Sequence, residues 1–111
     1  MVKDGLLLAT RNITTQPNPY TFIGLSKEGN VIIGVIDGRQ PNYSNGATTA
    51  RLALWARSLG AQTALKLDGG GSSNLVLHDQ NNDTYSICNS PSDGQLRKIY
   101  NSVLVVLKDS E

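Results

Sequence analysis

Leu67-Asp68-Gly69-Gly70-Gly71-Ser72-Ser73-Asn74 decides how the rest of the chain is read. An apolar approach (Ala64, Leu65, Leu67) ends at a carboxylate, opens into three glycines and two serines, and resumes as Leu75-Val76-Leu77. A two-residue hairpin needs only one or two glycines. Three in a row carry a backbone entropy cost beyond what a turn requires. Their gain is close approach, since a ligand can reach backbone N–H groups with no Cβ in the way. Asp68 adds a charge or proton acceptor at the rim, and Ser72 and Ser73 add hydroxyls. The plainer alternative is a flexible glycine hairpin with a solvated Asp68.

Outward from this loop, the chain alternates apolar runs with turns. Residues 6–15 (LLLATRNITT) read as a strand, and Gln16-Pro17-Asn18-Pro19 breaks it, because two prolines remove donors and fix φ. Residues 20–26 (YTFIGLS) and 31–36 (VIIGVI) read as strands joined by the turn Lys27-Glu28-Gly29-Asn30. The second is continuously apolar, which predicts burial on both faces, and Gly34 within it predicts a close approach by another segment. Residues 47–59 read as the main helix. Thr48 is its N-cap, Leu52, Trp55, Ala56 and Leu59 form the apolar stripe, and Gly60 is the stop. Trp55 is expected as a core anchor. Residues 62–67, 74–78, 84–88 and 100–107 read as further strands, with Gln80-Asn81-Asn82-Asp83 as a turn. The expectation is an α+β fold: one domain over residues 1–111, a mixed or antiparallel sheet of about seven strands, and one main helix.

Composition narrows the function classes. Ten basic and nine acidic residues are interleaved, for a net charge of +1. No basic patch recommends nucleic acid as a partner, and single Phe and Trp residues offer no stacking platform. Cys88 is the only cysteine, so an internal disulfide and a Cys-x-x-Cys metal site are excluded. His78 is the only histidine and lies in the strand-like run LVLHD, where an exposed edge position is expected rather than a triad. No apolar run approaches a membrane span, and the N-terminus lacks a signal-peptide pattern. These features predict a cytoplasmic protein with no metal or cofactor.

Three polar loops follow apolar runs: Asp37-Gly38-Arg39, Asp68 to Asn74, and Asn89 to Arg97. Brought together, their carboxylates, two arginines, hydroxyls and glycine-loop amides suit a ligand with both hydroxyls and a phosphate. Carboxylates at a glycosidic bond can serve as general acid or base.

The order Ile23-Gly24, Asp37-Gly38-Arg39, Tyr43-Ser44, Gly46-Ala47-Thr48, Leu59-Gly60-Ala61, Leu67 to Ser73, Asn89, Pro91-Ser92-Asp93-Gly94, Arg97 and Asn101 resembles the phosphodiester glycosidase family. That family includes the uncovering enzyme, which removes N-acetylglucosamine from a phosphodiester. The resemblance runs over roughly residues 19–107. It implies Asp37 and Asp68 as the catalytic carboxylates. It implies Arg39, Gly69, Gly70, Gly71, Ser72, Ser73, Asn89, Ser92, Asp93, Arg97 and Asn101 as ligand-binding residues. Two positions depart from the family pattern. Tyr20 stands where an arginine is usual, and Leu96 stands where an acidic residue usually precedes the later arginine. Arg11 is a candidate replacement for the missing charge. The upstream half of family members, with a segment lining the site, has no counterpart in these residues.

Two functions are compatible with this pattern. One is hydrolysis of a sugar phosphodiester or nucleotide-sugar. The other is capture without chemistry, a sponge for a phosphorylated nucleotide or sugar signal such as a cyclic ADP-ribose, as in a phage anti-defence protein. The small chain and its apolar strands also predict a homo-oligomer.

Overall fold

The computed structural model describes residues 1–7 and 16–108. The expected strand over 6–15 falls mostly on residues 8–15, outside that range, and so does Arg11.

Among the described residues seven strands and one main helix form an α+β fold, as the sequence predicts. The strands divide into two antiparallel sheets. The larger contains β1 (Val2–Lys3), β2 (Leu6–Leu7), β3 (Tyr20–Ser26), β4 (Val31–Ile36) and β5 (Ala61–Lys66), in the order β2-β1-β5-β3-β4. The smaller is the hairpin of β6 (Val76–Asp79) and β7 (Thr84–Ile87). β1 and β2 join through Asp4 (φ 51°) and Gly5 (φ 77°), the paired left-handed conformation that a two-residue hairpin favours.

Register decides which side chains meet. Phe22 pairs with Gly34, Ile23 with both Ile33 and Leu65, and Gly24 with Ala64. One sheet face therefore carries Tyr20, Phe22 and Ala64, and it is covered by α1 (Thr49–Ser58). Val2, Tyr20, Phe22, Leu52, Ala53, Ala56, Ala61 and Ala64 make the core, with Ile32 and Ile36 packed against it. Gly34 does admit a close neighbour: a Cβ there would stand 2.2 Å from the Phe22 ring.

α1 begins where expected, with the Thr48 hydroxyl accepting from the Arg51 N–H at 3.2 Å. Its buried face differs from the expected stripe. Thr49, Leu52, Ala53 and Ala56 are buried, whereas Trp55 is 39 % and Leu59 64 % exposed. Small residues let the helix lie close to the alanines of β5, which rotates Trp55 out of the core.

Two more expectations are corrected. β4 is an edge strand among the described residues, and only its Ile32–Gly34–Ile36 side meets the core, so it is not enclosed on both faces. Tyr100–Leu107 has no strand partner among the described residues and forms no strand. Its β-branched composition gives it strand propensity, but a strand exists only with a neighbour.

Candidate functional site

β4 ends at Asp37, and the loop beyond it is anchored at both ends. Gly38 sits against Pro19, where a Cβ would stand 2.6 Å from the Pro19 nitrogen. The Ser44 hydroxyl donates to the Asp37 carbonyl at 2.7 Å. Asn18 and Ala47 exchange backbone hydrogen bonds at 3.0 Å.

The Asp37 carboxylate is surrounded by donors. The Ser90 N–H reaches Oδ1 and Oδ2, each at 3.0 Å. Asn89 Nδ2 donates to Oδ1 at 3.0 Å, and the Tyr43 hydroxyl donates to Oδ2 at 3.0 Å. That contact, followed by the nearby negative charge, raises the Tyr43 phenol above its ordinary range. Asn89 also donates to the Ser73 carbonyl at 2.9 Å and accepts from the Leu75 N–H at 2.8 Å. Asp37, Asn89 and Ser73 thus tie all three loops to one another.

The glycine loop leaves β5 through Asp68 and makes a single 3-10 turn at Gly70–Ser72. Its amides are largely engaged within the protein. Gly69 N–H donates to its neighbour Asp68 Oδ1 at 2.9 Å, Gly70 N–H to the Pro19 carbonyl, Ser72 N–H to Gly69 and Ser73 N–H to Gly70. The bare Cα positions are likewise taken by protein groups. A Cβ on Gly69 would stand 2.8 Å from the Tyr20 ring, and one on Gly70 3.0 Å from Arg39 Nη1. One on Gly71 would stand 2.2 Å from Asp93 Oδ2 and 2.4 Å from Arg97 Nη2. Close approach is thus what the glycines provide, and side chains of the other loops make use of it.

Two arginines therefore lie on adjacent glycines. Arg39, at φ 56°, donates through Nε and Nη2 to Asn18 Oδ1 at 3.2 and 3.1 Å. No carboxylate among the described residues pairs with it. Arg97 forms a two-pronged pair with Asp93 at 2.8 and 3.1 Å. That pair holds the Asp93 carboxyl below its usual range, against a partial desolvation, with Arg97's charge and then Arg39's adding to the effect. It raises Arg97 in turn, and the charge of Asp68 adds to this. Arg39, Asp68, Asp93 and Arg97 thus feel one another across the glycine loop.

Ser72 is half-buried and Ser73 buried. Ser73 Oγ, Asn74 Oδ1 and Ser92 Oγ are buried without a hydrogen-bond partner among the described residues, an uncommon state for polar atoms. Asn101 is not brought in: it is exposed and lies in the unpaired C-terminal segment. His78 stacks on Tyr85 and meets Asp83 at 2.9 Å, on the exposed β6–β7 hairpin. Among the described residues no group of three or more metal-ligating side chains is present, and no helix is long and apolar enough to cross a membrane.

The two departures from the family pattern have visible settings. Tyr20 packs its ring on Gly69, and Lys66 Nζ lies 4.9 Å from the ring centroid. A cation thus stands beside the residue that replaces an arginine. Leu96 is 48 % exposed, and the acidic partner of Arg97 is Asp93, four residues earlier. Sequence reasoning missed Asn18, Gln40, Lys66 and Ser90 as members of the site. Gln40 Nε2 donates to the Ser90 carbonyl at 2.7 Å, and the Ser90 hydroxyl donates to Gln40 Oε1. The signal for Gln40 and Ser90 is only their nearness to Asp37 and Asn89 in the chain, and for Lys66 its nearness to Asp68.

Comparison with curated proteins returns no match. The family model for phosphodiester glycosidases matches residues 1–106, nearly the whole chain. The chain therefore belongs to the phosphodiester glycosidase family.

Proposed function

We propose that this phosphodiester-glycosidase-like domain binds a sugar phosphodiester or nucleotide-sugar over its glycine loop, and that Asp68 acts on the glycosidic bond. The observation that carries this reading is the placement of Arg39 and Arg97 against the neighbouring glycines Gly70 and Gly71. Guanidinium forks match phosphate oxygens. Of these two arginines, Arg39 has no acidic partner among the described residues, so its charge is available to an anion. Engagement of the loop amides moves phosphate binding from backbone to side chain.

The carboxylates divide by their surroundings. Asp37 is met by Ser90, Asn89 and Tyr43 and is a positioning group. Asp93 is bound by Arg97. Asp68 takes one bond, from its neighbour's N–H, through Oδ1, and Oδ2 is left to contact a substrate. It can protonate the leaving oxygen or receive a proton from water.

A second reading, capture without turnover, is favoured by one observation. Glycoside hydrolysis ordinarily employs two carboxylates, and of Asp37, Asp68 and Asp93 only Asp68 keeps an oxygen without a partner among the described residues. Incubation with glycosyl-1-phosphodiesters and cyclic ADP-ribose-type nucleotides, followed by mass spectrometry, tests both. Cleaved sugar that disappears in Asp68→Asn supports hydrolysis. Intact ligand released on denaturation supports capture. Neither cleavage nor retained ligand would remove both readings.

A further inference from the structure

Among the described residues the large sheet has one face covered by α1 and an opposite face that no helix or strand covers. α1 and the core lie on the Phe22 side. On the opposite side register places Ile23, Leu25, Val31, Ile33, Val35 and Leu65 together. Leu25, Val31 and Leu65 are 50, 59 and 62 % exposed. A contiguous apolar patch on a sheet is normally covered.

A second unpartnered element lies on the same chain. From Val103 to Leu107 every residue is apolar and at least 57 % exposed, and Tyr100 just before them is fully exposed. The radius of gyration is 15.0 Å, against about 13 Å for a compact chain of this size. A run apolar on both sides needs cover on both sides.

We propose that the cover is a second copy of this chain, with the Tyr100–Leu107 arm of each copy packed against the bare Leu25–Val31–Leu65 face of the other. Both halves of the contact are carried by one sequence, which is what a twofold interface needs. The arm and the face present nine large apolar residues that are half or more exposed. At roughly 100 Å² apiece, the three face residues and the inward half of the arm remove on the order of 600 Å² per copy from water, against the about 800 Å² per partner of a standard stable interface. Neither element carries an acid or base among the residues named, so nothing repels the second copy. Arg39, Asp68 and Arg97 take no part in this contact, so it stands or falls separately from the ligand site.

Light scattering on the wild-type protein at micromolar concentration should give a dimer mass, and a monomer overturns the proposal. Leu65→Lys and, separately, Val105→Lys should each weaken the dimer about a hundredfold by placing a charge in an apolar contact, with unchanged far-ultraviolet circular dichroism. A dimer that survives both places the interface elsewhere and overturns it. Because either lysine could disturb folding, a second arm of the test uses Cys88→Ser with Ile33→Cys and Val105→Cys. A disulfide between copies on a non-reducing gel is expected. A disulfide within one copy means that the arm covers its own sheet, and absence of any disulfide means that arm and face do not meet; either result defeats the proposal.

Discussion

The backbone N–H of Ser90 reaches both carboxylate oxygens of Asp37 at 3.0 Å. One amide bridging one carboxylate fixes the third loop on the end of β4. The contact is acceptor chemistry and needs no proton on Asp37.

Asp37→Ala is accordingly expected to lower stability by about 1–3 kcal/mol, because Ser90 and Asn89 lose their acceptor in a partly buried setting. Asp37→Asn should be milder, since an amide oxygen can still accept from Ser90. Urea denaturation of the two variants checks this. Equal loss in both would mean that the charge itself matters, and an unchanged midpoint in both would mean that the tie carries no energy.

Asp68→Asn should leave the denaturation midpoint unchanged and remove any turnover, because its carboxylate tie is local, to Gly69. Removing a negative charge beside the arginines should also tighten binding of an anionic ligand. Calorimetry with a non-hydrolysed glycosyl phosphodiester gives the second readout. Turnover that persists in Asp68→Asn would reassign the chemistry.

Gly71→Ala and Gly46→Ala should separate site from scaffold. The new Cβ at Gly71 meets Asp93 Oδ2 and Arg97 Nη2, the ends of flexible side chains. That pair can swing aside, so ligand affinity should fall with little change in stability. At Gly46, where φ is 98°, the Cβ would stand 2.3 Å from the Asn18 carbonyl oxygen. Backbone must move there, at about 1–3 kcal/mol. Reversed outcomes in thermal melts and binding titrations would contradict the packing described.

Arg97 holds Asp93 below the usual carboxylate range, which sets the direction of a pH effect. A depressed carboxyl contributes fully above its unfolded pKa of about 4 and loses that contribution as pH falls through the lower folded value. The Gly71 amide resonance should therefore be steady from neutral to mildly acidic pH and shift only below the unfolded value. The shift should vanish in Asp93→Asn. Movement near neutrality would assign the transition to another group.

Leu52 is fully buried between helix and sheet. Leu52→Ala should cost about 3 kcal/mol, whereas Trp55→Ala, at the exposed edge of the helix, should cost less. Chemical denaturation ranks the two, and a larger loss at Trp55 would restore it as the anchor.

The legibility of the fold followed the range of each contact. Thr48 and Gly60 mark a helix through bonds made within a few residues, and both ends were readable. The 3.6-residue stripe alone could not show that Ala53, rather than Trp55, would face β5, because that depends on how closely the sheet approaches. Tyr100–Leu107 has strand composition without a strand partner, and composition does not report partners. In the site, the glycine run was readable as a place of close approach. That Tyr20, Arg39 and Arg97 occupy it was not, since each comes from a distant turn of chain.

The Asp37–Ser90 bond spans 53 positions of sequence. During synthesis on the ribosome, β4 and the glycine loop therefore emerge well before the segment that fastens them. A nascent chain that stops short of Ser90 carries Arg39 and Asp68 but lacks the Asp93–Arg97 pair that lies on Gly71. Ligand capture that needs both arginines would thus require the third loop, with Arg97, to be free of the ribosome and folded onto Asp37.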